Sequence, residues 1–221
     1  MNINTPKNFV DQEKSFRRLN YLALGDSYTI GEGVDEADSF PHQLVSKLND
    51  YSLAFFPPTV IAKTGWTAKE LQKGIEQALV PLRKYDLVTL MIGVNNQYRG
   101  ESLGVFEVEF SQLLDKAIAL ADNDPSRTIS ISIPDWGVTS FALEGDRNVK
   151  KIAKEIDLYN QVIQNISLQK GVHYLEVTQA YRKGGGLAGS LVADKLHPSG
   201  FIYKNWAEKL SQLILSQMDF K

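Results

Sequence analysis

The 221-residue chain contains no cysteine. That excludes disulfides, thiolate metal sites, cysteine nucleophiles and iron–sulfur clusters, but leaves the compartment open, since a secreted protein can lack cysteine too. The chain has no charge excess either: 24 Lys plus Arg face 26 Asp plus Glu, a formal net charge of -2. With both signs mixed along the sequence there is no basic field for a phosphate backbone and no polybasic face for an anionic membrane, so no nucleic-acid partner is expected. No apolar run approaches the roughly 18 residues of a membrane span, so no integral membrane segment is expected. The first 20 residues, MNINTPKNFVDQEKSFRRLN, contain no signal-peptide h-region. This points to the cytoplasm, although a chain whose signal had been removed would read the same. Histidine is scarce, with three in all, and no metal-binding spacing such as H-E-x-x-H or a calcium loop occurs, so no metal is expected.

What remains is a chain that is 43% hydrophobic, enough for one α/β domain over residues 19–221 behind an N-terminal arm over residues 1–18. Short apolar runs alternate with helical periodicities, the pattern of βαβ units and a parallel sheet. Residues 19–24 (LNYLAL), 59–62, 86–92 (DLVTLMI), 128–133 and 172–177 read as strands one to five. Pro57 and Pro58 cannot donate to a ladder, which puts the second strand at a sheet edge. Thr67 and Glu70 form a capping box before a helix whose apolar face carries Leu71, Ile75, Ala78 and Leu79. Further helices are expected on Phe106, Phe110, Leu113, Ala117 and Leu120, on Val149 to Ile166, and after Pro198 with Trp206, Leu210, Leu213 and Ile214 inward. Five parallel strands with an edge second strand fit a doubly wound sheet of order 2-1-3-4-5, which binds ligands outside the carboxyl ends of its strands.

Four segments follow such ends. In Gly25-Asp26-Ser27-Tyr28-Thr29-Ile30-Gly31-Glu32-Gly33 a short turn would expose the Ser27 hydroxyl as a nucleophile, or else Asp26 or Ser27 simply caps a helix. Neither common phosphate-loop pattern is present. Gly65 follows strand two and Asn95-Asn96 follow strand three. A glycine N–H and an asparagine amide suit a developing oxyanion, but a turn glycine and loop amides are equally ordinary readings. After strand five and the glycine-rich stretch 184–189 comes Asp194-Lys195-Leu196-His197-Pro198. There the spacing lets a carboxylate orient the imidazole as a general base, or leaves a solvated loop histidine beside a surface charge. His42, in the first turn of a helix, and His173, at the far end of strand five, read as structural. The shared location of Ser27, Gly65, Asn95, Asp194 and His197 is what joins the weak signals into one crevice.

From about Leu19 to Trp206 these blocks resemble the SGNH hydrolases, also called GDSL esterases or lipases. Gly25 to Gly33 resembles the first block with Ser27 as nucleophile, Gly65 the second, Gly93-Val94-Asn95 the third, and Asp194 to His197 the fifth. The resemblance implies a flavodoxin-like three-layer α/β/α sandwich, with catalytic Ser27, Asp194 and His197 and an oxyanion hole of Ser27 N–H, Gly65 N–H and the Asn95 amide. It also implies no cofactor and a small-molecule ester as substrate. Two positions depart from the pattern: Asn96 stands where an acid is usual, which alters the hydrogen bonding of that loop, and Tyr28 continues the G-D-S run.

The expected activity is therefore cleavage of carboxylic esters through an acyl-enzyme intermediate. The family's range, from lysophospholipases and thioesterases to arylesterases and carbohydrate O-deacetylases, leaves the substrate open. Tyr98, Arg99, Trp136, Phe141 and Leu187 are candidate wall residues, each equally readable as packing or loop surface. A flavin- or nucleotide-binding module of the same fold, or a catalytically dead binding protein, is the alternative. The oligomeric state is not legible.

Overall fold

The computed structural model describes residues 17–78 and 84–220. Of the N-terminal arm expected over residues 1–18, only Arg17 and Arg18 fall within that set, and Leu79 also lies outside the described residues. Strands β1 (Tyr21–Asp26), β2 (Thr59–Lys63), β3 (Leu87–Met91), β4 (Thr128–Ile131) and β5 (His173–Leu175) form one parallel sheet in the order β2-β1-β3-β4-β5. Helices α3 (Ala68–Gln77), α5 (Leu103–Leu120) and α7 (Val149–Gln169) cover one face, and α2 (Phe40–Asp50) and α9 (Gly200–Gln217) pack together on the other. This is the expected α/β/α sandwich.

Burial on both faces explains why the central strands read as continuous apolar runs: every residue of β1 and β3 is buried, whereas edge strand β2 buries only Ile61. β1 begins and ends two residues later than expected. Leu19 makes only an isolated bridge to Phe55, while Gly25 stays in the ladder opposite Ala62 and Met91. Gly25 is thus not a turn residue. A Cβ there would run into the Thr29 side chain and stand 2.5 Å from the Met91 carbonyl, so glycine is what lets the next helix fold back onto the sheet. Ser130 in β4 and Ser132 just after it are both buried and hydrogen-bonded. Ser130 Oγ lies 2.6 Å from Ser167 Oγ of α7, and Ser132 Oγ accepts the Val177 N–H at 2.8 Å. The capping box of α3 forms as expected, with Thr67 N–H donating to the Glu70 carboxylate at 2.8 Å.

The strand order reverses between β1 and β3. Short helices α1 (Ser27–Ile30) and α4 (Val94–Tyr98) begin directly after these two strands, and the β2–α3 turn lies beside them. The loop from α8 (Thr178–Gly184) to α9 closes over the same end of the sheet, with Val192 N–H donating to the His197 carbonyl at 3.0 Å.

Candidate active site

Asp26 ends β1 and caps α1, accepting the Tyr28 N–H at 3.0 Å, and Ser27 is the first helical residue. The capping reading holds for Asp26, and Ser27 lines the cleft described below. The serine hydroxyl is not on an exposed loop, since Ser27 is only 4% accessible.

Ser27 Oγ lies 2.9 Å from His197 Nε2, and His197 Nδ1 lies 2.6 Å from Asp194 Oδ2. A carboxylate can only accept, so Nδ1 carries the proton, and neutral Nε2 is left to accept from the Ser27 O–H. The spacing of three residues works because the Asp194 loop is itself tied down. Asp194 Oδ1 accepts the N–H groups of Leu196 and His197 at 2.8 and 2.9 Å, and Lys195 between them takes a left-handed φ of 63°. Burial pushes the Asp194 carboxyl upward, but the imidazole and the two backbone donors outweigh it and the net shift is downward. Tyr28 backs the imidazole, its ring centroid 5.2 Å away.

On the other side of Ser27, Gly93 takes a φ of 128° to turn β3 into α4, which sets Asn95 beside the serine. The Asn95 amide donates to the Trp66 carbonyl at 3.0 Å and, at a longer 3.3 Å, to Asp26 Oδ2. Asp26 is fully buried, and that burial raises its carboxyl to about 7 against the lowering by its hydrogen-bond donors Tyr28 N–H and the Asn95 amide. Gly65 has a φ of 83°, and Arg99 Nη2 donates to its carbonyl at 2.5 Å. The departure at Asn96 has a partner in the structure. Its buried side chain accepts the Ala68 N–H at 3.0 Å and donates to Glu101 at 2.7 Å, where an acid would meet a second carboxylate.

Ser27, Asn95 and His197 open into a cleft of about 220 Å³ walled by Val94, Tyr98, Trp136, Phe141 and Leu196. Three of the candidate wall residues, Tyr98, Trp136 and Phe141, are in that wall. Arg99 instead pairs with Glu70 at 3.2 Å, and Leu187 is exposed and does not line the cleft. Val94 and Leu196 were not singled out from sequence, although each adjoins a residue that was. Trp136 is held by its indole N–H, which donates to Gln97 at 2.7 Å. His42 bonds Ser39 and Glu36, each at 3.0 Å, and His173 lies in β5, so neither shares the site. Among the described residues no helix is long and apolar enough to cross a membrane.

The GDSL-like Lipase/Acylhydrolase family matches residues 23–204. Among solved structures, that of TesA is 18% identical with a TM-score of 0.70, covering 90% of this chain and 99% of its own. The esterase EstA from Pseudoalteromonas sp., inhibited by monoethylphosphonate, is 16% identical with a TM-score of 0.68, over 89% of this chain and 97% of its own. A variant of Axe2, an acetyl xylan esterase from Geobacillus stearothermophilus, is 18% identical with a TM-score of 0.65, over 92% and 97%. At such identities these likenesses speak for the fold. No curated protein matches the sequence. On the family match over most of its length, the chain belongs to the GDSL-like lipase/acylhydrolase family and is a carboxylic ester hydrolase.

Proposed function

We propose that the protein is a serine hydrolase that cleaves small carboxylic esters through an acyl-enzyme intermediate, with Ser27 as nucleophile, His197 as general base and acid, and Asp194 as its orienting carboxylate. The observation that carries this reading is the continuous hydrogen-bond line from Ser27 Oγ through His197 to Asp194, at 2.9 and 2.6 Å. Ser27 Oγ attacks the ester carbonyl as its proton passes to His197 Nε2, and Asp194 stabilises the imidazolium that forms. The imidazolium then protonates the leaving alcohol. Water, deprotonated by the same nitrogen, releases the acid and regenerates Ser27.

The carbonyl oxygen becomes an oxyanion in both steps, and the proposed donors are the N–H groups of Ser27 and Gly65 and the Asn95 amide. Ser27 heads α1, where a first-turn N–H has no intrahelical acceptor. The Asn95 hydrogen directed at Asp26 makes the longer of its two bonds, so it is the one an oxyanion can take over.

The aromatic walls and the small volume, about 220 Å³ against the roughly 300 Å³ lower bound of drug-sized pockets, favour short acyl or aryl groups over long chains. The name of the acetyl xylan esterase neighbour agrees with a short acyl group. A phosphate-binding module is disfavoured because the Asp26 carboxylate already takes the Tyr28 N–H at the head of α1, where an anion would have to sit.

The test is labelling with a fluorophosphonate followed by peptide mass analysis. The adduct is expected on Ser27 and should be absent from the Ser27→Ala protein. An adduct elsewhere, or none from a protein that turns over esters, would remove Ser27 from the role.

A further inference from the structure

Beside the cleft lies a positive charge that the proposed chemistry does not use. Arg147 lies in the connection between α6 (Ser140–Glu144) and α7, with its guanidinium carbon 5.6 Å from the Tyr98 ring centroid and 5.9 Å from that of Phe141. Both rings line the cleft. Arg147 Nη2 also donates to the Tyr98 hydroxyl at 3.3 Å. Of the cations next in sequence to cleft-lining residues, Arg99 pairs with Glu70 at 3.2 Å and Lys195 with Glu144 at 2.7 Å. Among the described residues Arg147 has no carboxylate partner.

A guanidinium within cation–π reach of two rings and hydrogen-bonded to one of them is held beside the cleft, and its fork of donors matches a carboxylate. Tyr98 adds a second donor. Its oxygen accepts from Arg147, which leaves its own O–H to donate outward. Behind these two exposed groups the wall is apolar, formed by Val94, Trp136, Phe141 and Leu196. A neutral substrate would leave this charge idle.

We propose that Arg147 and Tyr98 form an anion subsite at the rim of the cleft, and that the substrates are esters bearing an ionised carboxylate in addition to the scissile ester. This specifies the substrate class of the ester hydrolase site and rests on that reading, but its binding component can be measured without turnover. Two anionic esters probe the two sides of the scissile bond: monoethyl adipate carries the carboxylate on the acyl side, and 4-acetoxybenzoate carries it on the alcohol side. Diethyl adipate and methyl 4-acetoxybenzoate are their neutral counterparts.

Binding is measured by calorimetry in the Ser27→Ala background, with and without Arg147→Gln, and with Lys150→Gln as a control for the general positive field. At least one anionic ester should bind more weakly by about tenfold in Arg147→Gln, the loss expected for one charge-assisted hydrogen bond. Its neutral counterpart should change much less, and Lys150→Gln should leave the anion's affinity within about twofold, as suits a screened surface charge. In the enzyme with Ser27 intact, the ratio of kcat/KM for anionic over neutral ester should fall with Arg147→Gln, chiefly through KM.

The proposal is overturned if neither anion binds the protein that retains Arg147. Equal weakening of anion and neutral ester overturns it as well, because Arg147 would then merely pack the wall. An equal effect of Lys150→Gln would make the field, not the subsite, responsible. If fluorophosphonate fails to label Ser27 while the calorimetric contrast appears, the acyl-transfer reading falls and the anion subsite stands.

Discussion

At Asn95 the resting structure commits both amide hydrogens, one to the Trp66 carbonyl at 3.0 Å and one to Asp26 at 3.3 Å. The short bond fixes the amide plane, and the long one can be exchanged. Asn95→Ala should therefore lower kcat by about 10²-fold or more, with KM changed far less, because the lost donor matters as charge develops. Steady-state kinetics on a short aryl ester separates the two, and a rise in KM alone would make Asn95 a binding residue. Ser27→Ala should remove turnover while costing about 1 kcal/mol of stability or less, since it deletes one hydrogen bond to His197 and leaves a methylene-sized group in place. Residual activity in a protein with a normal thermal transition would argue for another nucleophile. Sequence alone offered His197 as the partner of Ser27, but not Trp66 and Asp26 as the partners of Asn95. The buried Asp26 carboxylate, which contacts Asn95 and caps the helix carrying Ser27, reads in the sequence only as a capping residue.

Among the elements, α3 shows how a turn and a helix share one constraint. Gly74 sits inside that helix, where alanine would ordinarily gain about 1 kcal/mol. A Cβ there would collide with the Trp66 ring, whose own backbone carbonyl anchors Asn95. Gly74→Ala should thus destabilise the protein, by about 1–3 kcal/mol for an overpacked site, and also lower kcat. Denaturant unfolding alongside kinetics checks both, and a stabilised, fully active variant would contradict the packing. Such close contacts explain what was legible in the sequence. Strands buried on both faces announce themselves as apolar runs, and the capping box of Thr67 and Glu70 is a local pattern read without tertiary knowledge. The glycines at 184–189 were harder to read, for they suggest freedom. In the structure a Cβ on Gly185 would press on the Tyr181 ring at 2.6 Å, and one on Gly186 would run into the Val138 carbonyl. Composition does not distinguish a loose glycine from a tightly packed one. The cleft wall and its rim were partly hidden for a related reason: Val94 and Leu196 in the wall and Arg147 at the rim come from loops or helix ends, where no periodicity tells which way a side chain points.

For the whole molecule, the raised Asp26 carboxyl links site and stability. Its value of about 7 in the folded chain lies above the 3.8 of an ordinary aspartate. Its contribution to stability is therefore fully present below pH 3.8 and is lost as pH rises through about 7, because the unfolded state ionises first. The loss is on the order of 4 kcal/mol across that window. Asp26→Asn should flatten this component, so the difference in thermal midpoint between wild type and variant should shift in the variant's favour from pH 5 to pH 8. Parallel profiles would mean that Asp26 does not titrate there. Asp194 has the opposite sign: its lowered carboxyl contributes above the unfolded value and loses that contribution in acid.

The bond between Ser27 and His197 joins residues 170 positions apart. A ribosome releases the chain from the amino end, and sheet, oxyanion donors and cleft wall are all encoded before residue 197. In chain order, the contact on which the proposed chemistry rests is therefore among the last to become possible. Until the Asp194 loop has been made, Ser27 has no imidazole within reach.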